Sequence, residues 1–300
     1  FNEALYYYEE ALKYTTDQKF AAELKVIIQK IRKDFAVHLK KRIAFFAIPN
    51  GGDKFLGDII AGLSDEYEIK KIIVYDLKQI DKGMEWADIC WFEWCDQLIA
   101  YGSKLNLARE KPIICRIHGY EAYSNNATQV CWENVDKLIV VANHLVDVLQ
   151  MSIPNIKEKV SIEVIQNGVD LDKYTFSNRE KGFNIAYVGA MIYGKNPFFM
   201  LQIMKKLVEK DKRYKLYIAG QFMDPIIKIY WDYQVKELNL QDNICFEGWQ
   251  DNINVWLEDK NYLLAPSIRE SFGFYIAEAM AKGIKPIIHN FPFSKETWDE

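Results

Sequence analysis

Two carboxylates, Glu270 and Glu278, lie in the stretch Tyr262-Leu-Leu-Ala-Pro-Ser-Ile-Arg-Glu-Ser-Phe-Gly-Phe-Tyr-Ile-Ala-Glu-Ala-Met-Ala-Lys-Gly283. Its first residues, Tyr262 to Ala265, form an apolar run short enough for a buried strand. Pro266 and Ser267 end that run, and Gly273 marks a turn. From Phe274 the apolar residues recur at helical spacing (Phe274, Ile276, Ala277, Met280, Ala281), and Gly283 stands where a C-cap belongs. The unit reads strand, loop, helix, with Glu270 in the loop and Glu278 inside the helix. Backbone N–H groups near Ser271, Phe272, Gly273 and Phe274 open the helix, and free donors backed by the positive end of a helix dipole suit a phosphate. Ionised carboxylates suit sugar hydroxyls, which donate strong hydrogen bonds to them. The chemistry asks for a ligand that is part anion and part polyol, at the carboxyl end of a strand.

The same residues, Pro266-Ser-Ile-Arg-Glu270-Ser-Phe-Gly-Phe-Tyr-Ile-Ala-Glu278-Ala-Met-Ala-Lys-Gly283, resemble the E-x7-E signature of retaining glycosyltransferases of family 4. The pair alone is weak, but its setting in P-S-x-x-E-x-F-G-x-x-x-x-E-A-M-A-x-G is specific. That resemblance implies a GT-B-like α/β fold, two Rossmann-like doubly wound domains facing a cleft. It implies that Glu270 holds the donor sugar and Glu278 the ribose. Phe183-Asn-Ile-Ala-Tyr-Val-Gly189, followed by Lys195-Asn-Pro197, resembles V-G-R-x-x-x-x-K-N-P, where an arginine and a lysine hold the donor diphosphate. Lys195 matches, whereas position 190 is Ala. His118-Gly119, after Ile113 to Ile117, is similar to the histidine that contacts the donor sugar. Its work there is hydrogen bonding, not proton abstraction. Asn243-Ile-Cys-Phe-Glu-Gly248 resembles the segment beside the nucleotide base, and Pro49-Asn-Gly51-Gly52 a glycine loop near donor or acceptor, which a plain strand-to-helix turn would fit equally. The usual Gly-Gly-x-x-Glu survives only as Glu296.

Those side chains need strands to carry them. Arg42–Ile48, Ile69–Tyr75, Ala87–Phe92, Pro112–His118, Lys137–Ala142 and Ser161–Gln166 read as strands, then Phe183–Gly189, Lys215–Gly220, Asn243–Trp249, Tyr262–Ala265 and Lys285–His289. Short, near-continuous apolar runs alternating with helical segments argue for parallel sheets covered on both faces. No G-x-G-x-x-G follows a strand, which speaks against a dinucleotide-dependent oxidoreductase. Val164-Ile-Gln-Asn167-Gly168-Val169-Asp170 to Tyr174 resembles the I-x-N-G-V-D-x-x-x-F segment joining the two domains. Asp170-Leu-Asp172 spells a metal motif of another glycosyltransferase fold, but here it belongs to that linker. The expected organisation is a helical extension over 1–40, an acceptor-side domain over 41–175 and a nucleotide-sugar domain over 176–300.

Residues 1 to about 40 have helical composition, with Thr15-Thr16-Asp17 as break and N-cap. Ala4, Tyr8, Ala11 and Leu12 match a tetratricopeptide pattern that an ordinary amphipathic helix fits as well. His38 sits among lysines, and His144 begins a helix; both read as solvated or capping residues. A net charge of -4 gives no general attraction to nucleic acid. Five scattered cysteines, without zinc-ligand spacing, read as free thiols of a reducing compartment. Phe1 in place of an initiator Met, and helical residues running to Glu300, lead us to expect a piece of a longer polypeptide.

The resulting expectation is a cytoplasmic retaining glycosyltransferase, independent of metal and of any cofactor, at work at the inner face of the membrane if its acceptor is lipid-linked. Its catalytic residues would be Glu270, His118 and Lys195. Its donor, UDP- or GDP-linked, would rest on Gly189, Gly248, Ser271, Phe272, Gly273, Phe274, Glu278, Gly51 and Gly52. The acceptor is unspecified: a glycan, a lipid-linked sugar or a protein, with the N-terminal helices suiting a protein partner. The rival from another class is a non-catalytic glycosyltransferase-like binding module, favoured by Ala190 and the altered loop at 293.

Overall fold

The structure is a computed structural model, and it describes residues 2–36 and 40–298; His38 lies outside them. Two helices come first, Asn2–Tyr14 and Gln18–Ala36. Between them the Asp17 carboxylate accepts from the amides of Lys19 at 2.8 Å and Phe20 at 3.2 Å, the N-cap expected of that residue.

Eleven strands follow among the described residues, in two sheets. The first holds β1 (Lys41–Ala47), β2 (Tyr67–Ile73), β3 (Ile89–Glu93), β4 (Ile113–Ile117), β5 (Lys137–Val140) and β6 (Ser161–Val164) in the order β2-β1-β3-β4-β5-β6. The second holds β7 (Asn184–Val188), β8 (Lys215–Ala219), β9 (Ile244–Gly248), β10 (Tyr262–Ala265) and β11 (Lys285–Ile288) in the order β11-β10-β7-β8-β9. By compactness the chain divides into Phe1–Cys115 with Asn134–Asp136, and Arg116–Glu133 with Lys137–Glu300.

The inner strands are apolar on both sides because both sides are covered, whereas the edge strands β2, β6, β9 and β11 are half-buried or exposed throughout. Along β7, Ile185 and Tyr187 join Met200, Met204, Leu216, Ile218 and Trp231 in one cluster. Ala186, between them, joins Leu263, Ala265, Ile276 and Ala279 in another. That alternation is the strand period with helices on both faces. In β1, Ile43, Phe45 and Ala47 pack with Leu56, while Phe46 stacks on Phe92 at 4.8 Å between ring centres.

Among the longer helices, two go beyond the sequence reading, Lys78–Trp86 and Pro225–Glu237. The second opens with Asp224, whose carboxylate accepts from the Ile226 amide at 2.7 Å, and has Pro225 in its first turn. Asp-Pro is a start signal that was available in the sequence. All five cysteines are free thiols, and burial pushes that of Cys90 up to about 12.

Candidate functional site

The second sheet reverses its strand order between β7 and β10, and the loops leaving their carboxyl ends meet there. The Ile268 amide donates to the Gly194 carbonyl at 3.0 Å, joining the two loops. Beside this link, Lys195 Nζ is ion-paired with Glu270 Oε1. The same oxygen accepts from Ser267 Oγ at 2.7 Å and from the Tyr275 hydroxyl at 3.3 Å. Lys195 Nζ also lies 5.0 Å from the centre of the Tyr275 ring. With side chains only 22% and 12% exposed, Lys195 and Glu270 are semi-buried, so each keeps more electrostatic leverage than a surface pair. Burial, and then the Glu270 charge, push the Tyr275 phenol up, which keeps it a neutral donor.

The glycines in this unit are backbone contacts. Gly189 has φ +146°, and its amide donates to Ala219 O at 2.9 Å; the Gly220 amide donates to Gly248 O at 2.8 Å. A Cβ at Gly220 would overlap the Gly189 carbonyl oxygen, so the ends of β7, β8 and β9 close up only around glycine. Gly273, at φ +79°, precedes the helix Phe274–Ala281, and no side chain caps it among the described residues. Phe272 is buried, its ring edge-on to Phe274 at 5.1 Å, and its carbonyl accepts from Trp298 Nε1 at 3.0 Å. Ser271 is approached by Gly119, where an added Cβ would come 2.7 Å from the hydroxyl oxygen.

His118 is buried, and its amide and that of Gly119 each donate to the Glu121 carboxylate at 3.0 Å. Glu121 has no exposed surface, and burial raises its pKa above the usual carboxylate range. The sequence reading missed it, although an acid in the first turn of Tyr120–Tyr123, directly after His118-Gly119, was a visible signal. Glu278, on the helix Phe274–Ala281, accepts from the Tyr174 hydroxyl at 3.0 Å. Asp170 accepts from the Asp172 amide at 3.1 Å, the turn chemistry of a linker. Gly51 and Gly52 belong to the first compact unit, where Trp94 Nε1 donates to Gly52 O at 2.6 Å.

One position differs from expectation, and a neighbour of Glu270 has a contact of its own. The Arg269 guanidinium lies 4.5 Å over the Tyr123 ring. His144 is buried rather than solvated: its Nδ1 pairs with Glu296 Oε2 at 2.8 Å and its ring stacks on Phe293 at 4.7 Å. Glu296 also accepts from the amides of Asn143 and His144, so it closes the helix His144–Ser152. Burial opposes its charge, but these donors together hold its carboxyl below the usual range.

Residues 172–300 match the family model described as "Glycosyl transferases group 1". The GDP-mannose:cellobiosyl-diphosphopolyprenol alpha-mannosyltransferase of Xanthomonas campestris is 23% identical over 225 residues, covering 69% of this chain and 57% of that protein. The UDP-Gal:alpha-D-GlcNAc-diphosphoundecaprenol alpha-1,3-galactosyltransferase of Escherichia coli is 25% identical over 177 residues, 54% of this chain and 42% of that one. The chain thus spans less than two thirds of the length of either relative. Among solved structures, HepE of Anabaena in complex with UDP and glucose superposes with a TM-score of 0.68 at 14% identity, over 85% of this chain and 82% of that one. That likeness shows the fold: two parallel-sheet, Rossmann-like α/β domains of the GT-B type.

Proposed function

We propose that this chain carries the donor site of a retaining glycosyltransferase that moves a sugar from a nucleoside diphosphate to an acceptor hydroxyl. The observation that carries this reading is the Lys195–Glu270 pair, buttressed by Ser267 and Tyr275, at the strand-order reversal of the second sheet. It lies within the segment that matches the family model.

In such a transfer the bond between the anomeric carbon and the phosphate oxygen breaks. The electron pair goes to the departing diphosphate, and the acceptor oxygen bonds the anomeric carbon and gives up its proton to the diphosphate oxygen so released. Negative charge grows on the diphosphate, where Lys195 and the helix end at Gly273 offer positive charge. Fixed cationic groups of this kind replace a metal ion, so the reaction is metal-independent. Glu270 holds donor sugar hydroxyls and faces the cationic carbon, Glu278 takes the ribose, and His118 bonds a sugar hydroxyl. The two relatives are named for GDP- and UDP-linked donors and lipid-diphosphate-linked acceptors. We infer a lipid-linked acceptor here, and with it work at a membrane face; no helix among the described residues is long and apolar enough to cross a membrane.

The test is a donor screen that detects released UDP or GDP, with and without a chelator. Turnover should survive chelation, and Lys195→Ala and Glu270→Ala should each lower it by about a hundredfold or more, the usual cost of one preorganised charge contact. Near-normal rates in either variant would remove the role assigned. Ala190 favours a second reading, a binding module that no longer turns over. Binding of a diphosphate by calorimetry, without turnover on any donor, would choose it.

A further inference from the structure

The segment leading from Tyr174 is stitched along the helix that carries Glu278. The Lys173 carbonyl accepts from Asn254 Nδ2 at 2.7 Å, and Asn254 Oδ1 accepts in turn from Lys282 Nζ at 2.6 Å. The Arg179 side chain donates to the Lys282 carbonyl at 3.3 Å. At the helix end, Gly283 (φ +78°) lies so close to the Ser177 carbonyl that a Cβ there would overlap it. Between these fixed points the half-buried Tyr174 hydroxyl reaches Glu278 Oε1 at 3.0 Å. The linker pattern that this stretch resembles has Phe at the position of Tyr174, and here the ring carries a hydroxyl in addition. A packing role would be served by either ring. Only the hydroxyl can fix the rotation of the carboxylate.

We propose that Tyr174 is a positioning residue: its hydroxyl, held by the stitched segment, sets the Glu278 carboxylate to receive the ribose diol of a nucleoside diphosphate. The inference rests on the donor-site reading above and adds a source of ribose specificity to it. One donor on Oε1 turns the carboxylate one way, so the diol meets a preset acceptor and no ordering cost falls on binding. Burial, followed by the Glu278 charge, pushes the Tyr174 phenol up, which keeps the proton on the tyrosine.

The experiment is calorimetric titration of the full chain with UDP, GDP and their 2′-deoxy counterparts, on wild type, Tyr174→Phe, Glu278→Gln and the double variant. Wild type should prefer the ribonucleotide, and Tyr174→Phe should cut that preference by about fivefold, the net worth of one hydrogen bond. Affinity for the deoxy nucleotide should hold, which a loosened fold would not allow. Glu278→Gln should abolish the preference, and the double variant should add nothing. A ribose preference kept in full by Tyr174→Phe overturns the inference, as does equal loss for ribo- and deoxynucleotide. Wild-type binding without ribose preference overturns it while leaving the donor-site reading standing. Failure of both diphosphates to bind wild type removes the two together.

Discussion

Removing the Glu121 carboxylate would strand two amides, those of His118 and Gly119, which it receives at 3.0 Å each. Buried donors without acceptors cost about 1–3 kcal/mol apiece, so Glu121→Ala should lower stability by roughly 2–6 kcal/mol. Glu121→Gln should cost less, because its amide oxygen still accepts from one of the two. Urea midpoints at neutral pH check the order wild type, Gln, Ala; equal midpoints for all three would show that the amides find other partners. His118 itself was legible in the sequence because it ends an apolar run. Its support was harder to see, since an acid among loop residues usually reads as solvated. Lys195 and Glu270 were legible one at a time, but their pairing was not: 75 residues separate them, and local spacing carries no information on such a contact. Tyr174 and Glu278, 104 residues apart, repeat the lesson.

Elements were clearer than pairs, for a physical reason. A parallel strand buried on both faces must be a short continuous apolar run, and each strand named from the sequence is present with ends shifted by a few residues. The helix Pro225–Glu237 escaped because it is apolar on two sides. Trp231 is buried while Ile226 and Ile229 are 74% and 70% exposed, and this blurs the helical period. Lys78–Trp86 escaped because Gly83, a poor helix former, sits inside it; a Cβ there would lie 2.5 Å from the Phe46 ring. Glycine effects should therefore divide by element. Gly220→Ala forces the ends of β7 and β8 apart against a backbone carbonyl, a cost of about 3 kcal/mol or more. At Gly51 (φ +91°) nothing lies within 4 Å of a new Cβ, so Gly51→Ala meets only backbone strain, about 1–2 kcal/mol. Thermal melting of the two variants checks the ranking, and a Gly220→Ala protein as stable as Gly51→Ala would contradict it.

For the molecule as a whole, the paired carboxylates set the response to acid. Asp53, Asp88, Glu133 and Asp211 are each held below the usual range, first by the bonded cation: Lys71, Arg42, Lys159 and Arg213 in turn. Glu296 is also lowered, its donors outweighing burial. A depressed folded pKa means that the unfolded chain binds the proton more readily. The stability from these groups is complete above the ordinary values of 3.8 for Asp and 4.5 for Glu, and drains as pH falls through the depressed ones. Glu121 has the opposite sign: raised by burial, it favours the unfolded chain at neutral pH and ceases to do so as pH falls through its folded value. The exposed pairs contribute little each, because solvent screens them, so Glu296, with its side chain 18% exposed, should dominate the acid limb. The urea midpoint should hold or rise slightly as pH falls towards the ordinary carboxylate range, while Glu121 takes up its proton. Below that range it should fall, and Glu296→Gln should flatten the fall. A wild-type midpoint that failed to fall below that range would overturn this assignment, since Glu121, by then protonated folded or unfolded, has nothing left to contribute there.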